Sequence, residues 1–268
     1  MVRIAMNLVR DSVKRPLGKR KVWIGLVLLA LTVAGTVSLG RWQLSRAQEK
    51  RDLLAQVEAG RRQPPLHLAA DTPATDLQAW RPAVASGRWL ADRTVLLDNR
   101  TAGGRPGFWV VTPLLLDGPG PQTSVAVLRG WLPREFPDVP LKQVPTPDGL
   151  VSITGELVSH VPRLLELTSF GGPRQGALPE KLPVASGVLP RLQNLELAAY
   201  AEAAGIKVLP ALLQQTASTD DGWVRDWPAP PSNIEMHRGY ALQWFSFAAI
   251  AAIAFGVLLV QYLRSSRR

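Results

Sequence analysis

The chain has 268 residues, of which 46% are hydrophobic, a formal net charge of +10 and no cysteine. The missing cysteine excludes disulfide bonds and thiolate metal sites. A basic balance often indicates nucleic-acid binding. Here, however, the positive charge is concentrated in two short tails beside apolar segments, which argues against a nucleic-acid partner. Residues 1–21 contain seven basic side chains and one aspartate, and residues 264–268 contain three arginines.

The first apolar segment, residues 22–40, contains no charged side chain. A helix of roughly 20 apolar residues crosses a hydrocarbon core of about 30 Å, so this segment is predicted to be a transmembrane helix. It is longer than the apolar region of a signal peptide, and "VSLGRWQ" offers no clean cleavage site, so we expect an uncleaved anchor. Good helix formers follow, which predicts that the helix continues to about Ala59, with Gly60 as its C-cap. A proline-rich connection comes next.

The middle of the chain has the pattern of an antiparallel sheet. Between Trp80 and Val158, short runs rich in valine, leucine, threonine and aromatic residues alternate with turn clusters such as "TAGGRPG" and "DGPGPQ". A long loop is expected over residues 162–190. A helix should follow, with Asn194 as N-cap and Gly205 after its end, and then one more strand. The predicted domain, residues 41–239, is α+β and mainly antiparallel, either a barrel or a curved sheet.

The second apolar segment, residues 240–263, is also uncharged and long enough to cross a membrane. "PAPP" prevents an earlier helix start, and "SNIE" is typical of a capping box with Ser232 as N-cap and Glu235 at the third position. The helix is therefore predicted to start near Asn233. His237 would then lie about one turn inside it, at the outer membrane interface.

The two basic tails set the predicted orientation. Positive residues beside a span stay in the cytoplasm, so residues 1–21 and 264–268 are expected inside and residues 41–239 outside. The predicted fold class is thus a membrane-anchored α+β protein, with a transmembrane helix at each end of a mainly antiparallel extracytoplasmic domain that contains a few helices.

Five motifs occur in a fixed order along the chain. They are "LGRWQLSRAQEK" (39–50), "LLDNR" (96–100), "GFWVVTPL" (107–114), "RGWLP" (129–133) and "HRGYALQWF" (237–245). Together they resemble the Surfeit-locus protein family, the Shy-type assembly factors of cytochrome c oxidase. The chain departs from the family pattern at Leu128, where the family often has asparagine, and the loop over residues 161–190 carries no family motif.

This resemblance implies a non-enzymatic role in the respiratory chain. The expected function is that of a chaperone which helps haem a reach the catalytic subunit of the oxidase. The implied partners are that subunit, the haem a synthase and membrane lipid. The Arg-, Ala- and Pro-rich composition and the short basic tail favour a bacterial inner membrane, with the main domain in the periplasm, and the mitochondrial inner membrane stays open as an alternative. The resemblance also points to His237 as a haem a ligand.

The candidate haem site combines both predicted spans. Tyr240, Ala241 and Trp244 share the helical face of His237, and the small Ala241 beside Trp244 suggests a slot for a flat macrocycle. The competing interpretation is an aromatic belt at the membrane interface.

Arg41, Trp42 and Arg46 close the first span, where the guanidinium groups suit haem propionates. Gln43, Arg46 and Lys50 share one helical face. The alternative is that these are snorkelling basic residues with an interfacial tryptophan.

The remaining motif residues have a structural alternative as well. A hairpin turn is expected at Asp98, Asn99 and Arg100. The functional interpretation is a turn that faces a partner or a propionate, and the structural one is ordinary turn chemistry with a buried Arg–Asp pair. The "RGWLP" motif contributes Arg129, Gly130 and Trp131. We expect a structural role for these residues, in which Trp131 fills the core and Arg129 pairs with a carboxylate.

Two other functions remain open on sequence grounds. A cofactor-free scaffold for an oxidase subunit would have the same sequence features as a haem a chaperone, except that a scaffold needs no ligand histidine. A hydrolase anchored at both ends would need a catalytic constellation, but the chain has no metal-binding spacing, nucleophile elbow or phosphate loop. The visible spectrum of the protein purified from cells that make haem a separates the first two functions.

The predicted topology is testable with reporter fusions. Fusions after Lys19 and after Arg268 should report a cytoplasmic location, and a fusion near Gly149 should report an external one, because the basic tails are retained inside. An external carboxyl terminus would contradict two spans.

Overall fold

A computed structural model describes residues 19–135, 139–164, 176–217, 221–230 and 233–267. The chain divides into two compact units. The first consists of Met1–Leu54 with Pro230–Arg268, and the second is Ala55–Ala229.

The first unit is built on two long helices, α1 (Lys19–Arg61) and the last helix of the chain, α3 (Ile234–Ser266). Both are long and apolar enough to cross a membrane, judged by length and composition. In the most apolar 18-residue stretch of each helix, only 11% is buried. A core helix of a soluble domain would be mostly buried. Each therefore presents an open apolar surface. Helix α1 ends at Arg61, two residues beyond the predicted Ala59.

The two helices run antiparallel and touch along their length. Near one end, Trp23 Nε1 donates a hydrogen bond to the Tyr262 hydroxyl at 3.2 Å. Toward the other end, a Cβ atom added to Gly40 would lie 2.7 Å from the ring of Phe245. Small residues allow such close helix contacts, and Ala241 is likewise buried. Antiparallel packing brings the segment of α1 around Gln43 next to the start of α3.

In its described residues, the second unit contains eight strands in one sheet. They are β1 (Leu66–Leu68), β2 (Pro82–Trp89), β3 (Val95–Ala102), β4 (Arg105–Leu116), β5 (Thr123–Pro133), β6 (Val151–Val158), β7 (Arg191–Leu192) and β8 (Lys207–Gln215). Five of them pair in the cyclic order β2–β6–β8–β5–β4, and β4 pairs again with β2. The sheet therefore closes into a five-stranded barrel.

Apolar side chains bury both faces of this sheet. One cluster draws Ala85, Leu114, Val127, Leu157 and Leu213 from the five barrel strands, so it fills the barrel interior. A second cluster lies on the outer face of the sheet under the short helix α2 (Leu197–Ala204) and the segments beside it. Because both faces of the sheet are covered at β4 and β5, these strands are nearly continuous apolar runs.

The end of α1 is fixed within the second unit. Arg61 Nε and Nη2 donate hydrogen bonds to the Glu156 carboxylate of β6 at 2.6 and 3.1 Å. This hydrogen bond raises the pKa of Arg61 despite the partial burial of the group. Glu156 is only 8% exposed, so the arginine supplies the charge that a buried carboxylate needs.

The β-rich domain with few helices agrees with the predicted fold, but several details differ. Parallel pairings join β1 to β2, β3 to β7 and β5 to β8, whereas the hairpin pattern indicated antiparallel neighbours. Strand β1 lies in the segment expected to be a connection. The described parts of the predicted loop over residues 162–190 contain no helix or strand, and residues 165–175 lie outside the described residues.

Asn194 is not a helix cap. The helix begins at Leu197, with Glu196 as N-cap. The amide of Asn194 instead accepts from Leu164 N at 2.8 Å and donates to Leu164 O at 2.9 Å. Gly205 is the C-cap, as predicted, with φ 64°.

Barrel closure depends on Gly87. A Cβ atom there would overlap the carbonyl oxygen of Leu115, at the short pairing of β2 with β4. We expect Gly87→Ala to destabilise the protein by about 2 kcal/mol because the strands must separate. The melting temperature of the full chain in detergent should fall by about 4 °C or more. Ser86→Ala changes an exposed neighbour and is the control. Equal melting temperatures for the two variants would contradict this account of the closure.

Candidate functional site

His237 lies in the first turn of α3 and points toward α1. Its Nδ1 atom is 2.7 Å from Oε1 of Gln43. An amide oxygen only accepts hydrogen bonds, so this contact matches an imidazole with a proton on Nδ1, and in the neutral form of that ring Nε2 keeps its lone pair. The half-buried ring therefore presents a potential metal-ligand atom on the side away from Gln43.

The start of α3 agrees with the prediction near Asn233. The helix begins at Ile234, and Asn233 is its N-cap without a side-chain capping bond. The Asn233 side chain instead accepts a hydrogen bond from Lys50 of α1. Ser232, the predicted cap, lies outside the described residues, and Glu235 pairs with Arg238 at 3.0 Å.

The aromatic side chains near His237 are accessible. Tyr240 is 47% exposed. Trp244 is half-buried and stacks edge-to-face on Phe247 at 5.9 Å between ring centroids. Ala241 is only 1% exposed, so the slot expected beside it is not open in this structure. Open flat surfaces are provided by the two aromatic rings instead.

The predicted basic group on α1 divides into two parts. Arg46 Nη1 is 2.7 Å from the Glu49 carboxylate, and its guanidinium lies 5.8 Å from the centroid of the Trp42 ring. Arg41 is exposed and makes no ion pair within the described part of the chain. None of Arg41, Trp42 or Arg46 contacts His237, Tyr240 or Trp244 by a hydrogen bond or ring contact. Gln43 is the residue of this segment that reaches the histidine.

The residues of the helix pair fit a haem in chemical type. A neutral imidazole with a free Nε2 is a normal axial ligand of haem iron. Exposed aromatic rings offer apolar flat surfaces, and the uncommitted guanidinium of Arg41 suits a propionate. In contrast, the described residues contain no group of three or more His, Asp or Glu side chains that could hold a metal ion by themselves.

Arg129 of β5 is held between two tryptophans. Its guanidinium carbon lies 4.6 Å from the Trp89 ring centroid and 4.2 Å from that of Trp223. Its terminal nitrogens donate to Thr146 Oγ1 at 3.0 Å and to Pro145 O at 2.7 Å. Burial lowers the pKa of Arg129 to about 10, which leaves the group charged at neutral pH.

Arg129 does not form the predicted ion pair with a carboxylate. The nearby Asp221 carboxylate accepts a hydrogen bond from Arg225 Nη1 at 3.0 Å. Asp221 acts on Arg129 only through its field, which partly opposes the effect of burial on the pKa. Two aromatic faces and neutral acceptors thus replace the expected carboxylate contact.

Arg100 is also buried and does not lie at a hairpin tip. The turn is formed by Gly103 and Gly104, both with positive φ. Arg100 donates to Pro162 O at 3.0 Å and Gln193 O at 3.2 Å, and lies 4.6 Å from the Trp109 ring centroid. Burial lowers its pKa to about 10.

Asp98 and Asn99 form an irregularity inside β3 rather than the turn. The pairing of β3 with β4 shifts between Leu97 and Arg100, and Asn99 has φ 57°. Asp98 pairs with Arg134, so the expected Arg–Asp pair exists with a different arginine.

Trp131 connects the motif residues of the barrel. It is 2% exposed, which confirms its predicted core position, and its Nε1 donates to the carbonyl of Arg100 at 2.9 Å. A Cβ atom on the preceding Gly130 would lie 2.9 Å from Trp223 Cβ. The motifs around Arg100, Trp109 and Arg129–Trp131 therefore form one buried arginine–tryptophan network, which favours their structural interpretation.

The described geometry defines a class of protein, in which a small β-barrel domain lies in the sequence between two long apolar helices that are joined by a Gln–His contact. The SURF1 family model matches residues 30–249, and the chain belongs to the SURF1 family. This confirms the resemblance that the five motifs indicated.

Curated relatives match a smaller part of the chain. A SURF1-like protein of Rickettsia felis is 31% identical over 108 residues, 40% of this chain and 44% of that protein. The cytochrome oxidase assembly protein SHY1 of Saccharomyces cerevisiae is 27% identical over 46% of this chain and 31% of that protein. Surfeit locus protein 1 of Arabidopsis thaliana is 32% identical over 41% of this chain and 34% of that protein. The chain thus spans less than half the length of each of these relatives.

The arginine–tryptophan network predicts that arginine and lysine are not equivalent at residue 129. Arg129→Lys keeps the charge but loses the planar group between two rings and one of its two directed hydrogen bonds. We expect a loss of about 1–3 kcal/mol in the free energy of unfolding, measured by chemical denaturation of the full chain in detergent. Arg88→Lys, on an exposed position of β2, is the control and should match the parent. A parent-like Arg129→Lys would exclude a role for the stacked geometry.

Proposed function

We propose that the chain is an assembly factor for cytochrome c oxidase that holds haem a transiently at the pair of helices α1 and α3. Family membership and the similarity to the yeast cytochrome oxidase assembly protein SHY1 support the assembly function. The observation that carries the haem proposal is the His237 ring, because its Nδ1 is bonded to Gln43 and its Nε2 is left free.

The proposal assigns each residue of the helix pair a task. When bound, haem a supplies an iron that accepts an axial imidazole, a flat macrocycle and two carboxylates. His237 Nε2 is the proposed ligand atom. Tyr240, Trp244 and Trp42 offer aromatic faces. Arg41 binds a propionate, and Arg46 does so by exchanging its Glu49 partner for the propionate.

The proposed membrane arrangement follows from the same helices. Both are apolar and largely open along their surface, and they pair antiparallel. With the basic tails in the cytoplasm, His237 and Arg41 lie at the external interface of the membrane. We place the protein in a bacterial inner membrane with the barrel outside. The proposed partners are the oxidase catalytic subunit, the haem a synthase and membrane lipid.

The exposure of the site suits a carrier. Tyr240 is half exposed, and the chain contributes a single imidazole at this position. A bound macrocycle would remain accessible from the side of the helix pair, and one ligand bond is easier to release than two. A carrier needs this reversibility because it must transfer its cargo.

A cofactor-free scaffold is the second candidate function. The Gln43–His237 bond joins two apolar helices, and polar contacts of this kind stabilise helix pairs without any ligand. In this reading His237 acts only as a structural link, and the barrel domain binds an oxidase subunit.

The test compares His237→Ala with the parent in a strain that lacks the gene and makes haem a. The purified parent should contain haem a, and His237→Ala should remain in the membrane but lose most of the haem a absorbance. Oxidase haem a content should fall when the gene is deleted and recover only partly with His237→Ala, because the aromatic and basic residues remain. His160→Ala removes an exposed histidine and should behave like the parent.

The outcomes separate the two functions. An unchanged haem a content in every terminal oxidase after gene deletion would refute the assembly role. If deletion lowers oxidase haem a but His237→Ala binds haem a like the parent, the ligand assignment fails and the scaffold function is favoured.

A further inference from the structure

We propose that Gln43 is a positioning residue that holds His237 in the tautomer required for iron binding. The proposal rests on the haem function proposed above, and it adds a residue on the other helix that controls the ligand. Gln43 itself does not touch the cargo. It acts through the proton on Nδ1 of His237, to which its side-chain oxygen is the acceptor at 2.7 Å.

The tautomer follows from this one contact. A neutral imidazole has one protonated nitrogen and one lone pair. In solution the proton occupies either nitrogen, so part of the population lacks a lone pair on Nε2. An acceptor fixed at Nδ1 keeps the proton there and leaves Nε2 free in nearly every molecule. Metal-binding histidines commonly use such an acceptor on the nitrogen that does not bind.

The packing of the helices holds Gln43 in place. One turn away along α1, Gly40 lets the ring of Phe245 approach closely. Two turns in the other direction, Lys50 bonds with Asn233. Contacts on both sides of Gln43 therefore limit the distance between the two helices at His237. The histidine ring orientation is set by the bond from α1 rather than by its own helix.

The neutral character of the acceptor is also informative. A carboxylate at this position would increase the basicity of the imidazole and strengthen its bond to iron. An amide oxygen orients the ring without adding a negative charge. This is the chemistry expected of a site that must bind a cargo and later release it.

The experiment has one part without haem and one with it. The chain has only three histidines, His67, His160 and His237. Histidine ¹⁵N spectra of the apo full chain in detergent can therefore be assigned with His237→Ala. The parent should show His237 protonated on Nδ1. Gln43→Leu should give a tautomer mixture, whereas Gln43→Glu should keep the proton on Nδ1.

Haem a titrations then measure the consequence. We expect roughly 10-fold to 100-fold weaker binding for Gln43→Leu, and for Gln43→Glu binding at least as tight as in the parent with a shifted iron spectrum. Gln48→Leu alters an exposed glutamine of the same helix and should match the parent. Lys50→Met removes a different contact between the helices but keeps Gln43 and the contact of Gly40 with Phe245. His237 should therefore stay protonated on Nδ1, and the affinity for haem a should fall much less than in Gln43→Leu.

Each result decides between defined alternatives. A parent His237 protonated on Nε2, or unchanged tautomer and affinity in Gln43→Leu, would overturn the positioning role. Equal losses of affinity in Lys50→Met and Gln43→Leu would also overturn it, because helix pairing alone would explain both. If His237→Ala retains haem a, the haem function itself fails, whatever the tautomer is. If His237→Ala loses haem a and Gln43→Leu binds normally, only the role of Gln43 fails.

Discussion

The close contact between α1 and α3 determines what the helix pair can do chemically. It depends on the missing side chain of Gly40, since the ring of Phe245 occupies the space that a Cβ atom would take. One turn further, the same approach brings Gln43 within 2.7 Å of His237. A wider separation would break this bond and leave the imidazole free to rotate. The polar bond and the orientation of the imidazole are therefore consequences of a single helix-to-helix distance, which the small residue permits.

A different constraint governs the barrel unit, where two arginines are almost fully buried. A buried charge normally requires an opposite charge, yet Arg100 and Arg129 are bonded to backbone carbonyls and a hydroxyl and lie against tryptophan rings. Ring faces carry partial negative charge and stabilise cations in dry surroundings. This solution is geometrically demanding, because each tryptophan ring must lie within about 5 Å of a guanidinium carbon. It accounts for the pairing of Arg100 in one motif with Trp109 in the next, whereas the rings against Arg129 come from outside the motifs.

The features that sequence reasoning could predict are those encoded locally. Hydropathy and charge predicted the two long helices. Valine-rich runs between glycine clusters predicted the hairpin strands and the core position of Trp131. Contacts between residues that are distant in sequence could not be predicted. Nothing near Gln43 in sequence points to His237, and nothing near Arg129 points to Trp89 or Trp223. Strand β1 is too short to show a period, and Asn194 has the right residue type for a cap but bonds to Leu164 instead. The face shared by Gln43 and Lys50 was the one available signal for the contact with α3.

The place of β8 in the barrel has a consequence for how the domain folds. This strand lies between β5 and β6, yet it follows both in sequence and is the last strand in the described part of the chain. Until residues 207–215 have been synthesised, β5 and β6 each have an unpaired edge, and the ring cannot close. Pairings between residues so far apart form slowly because a long loop must be ordered first. A nascent chain thus exposes two open strand edges from the completion of β6 until β8 has been made. Early release or proteolytic clipping in this interval is therefore a route to aggregation rather than to a smaller stable domain.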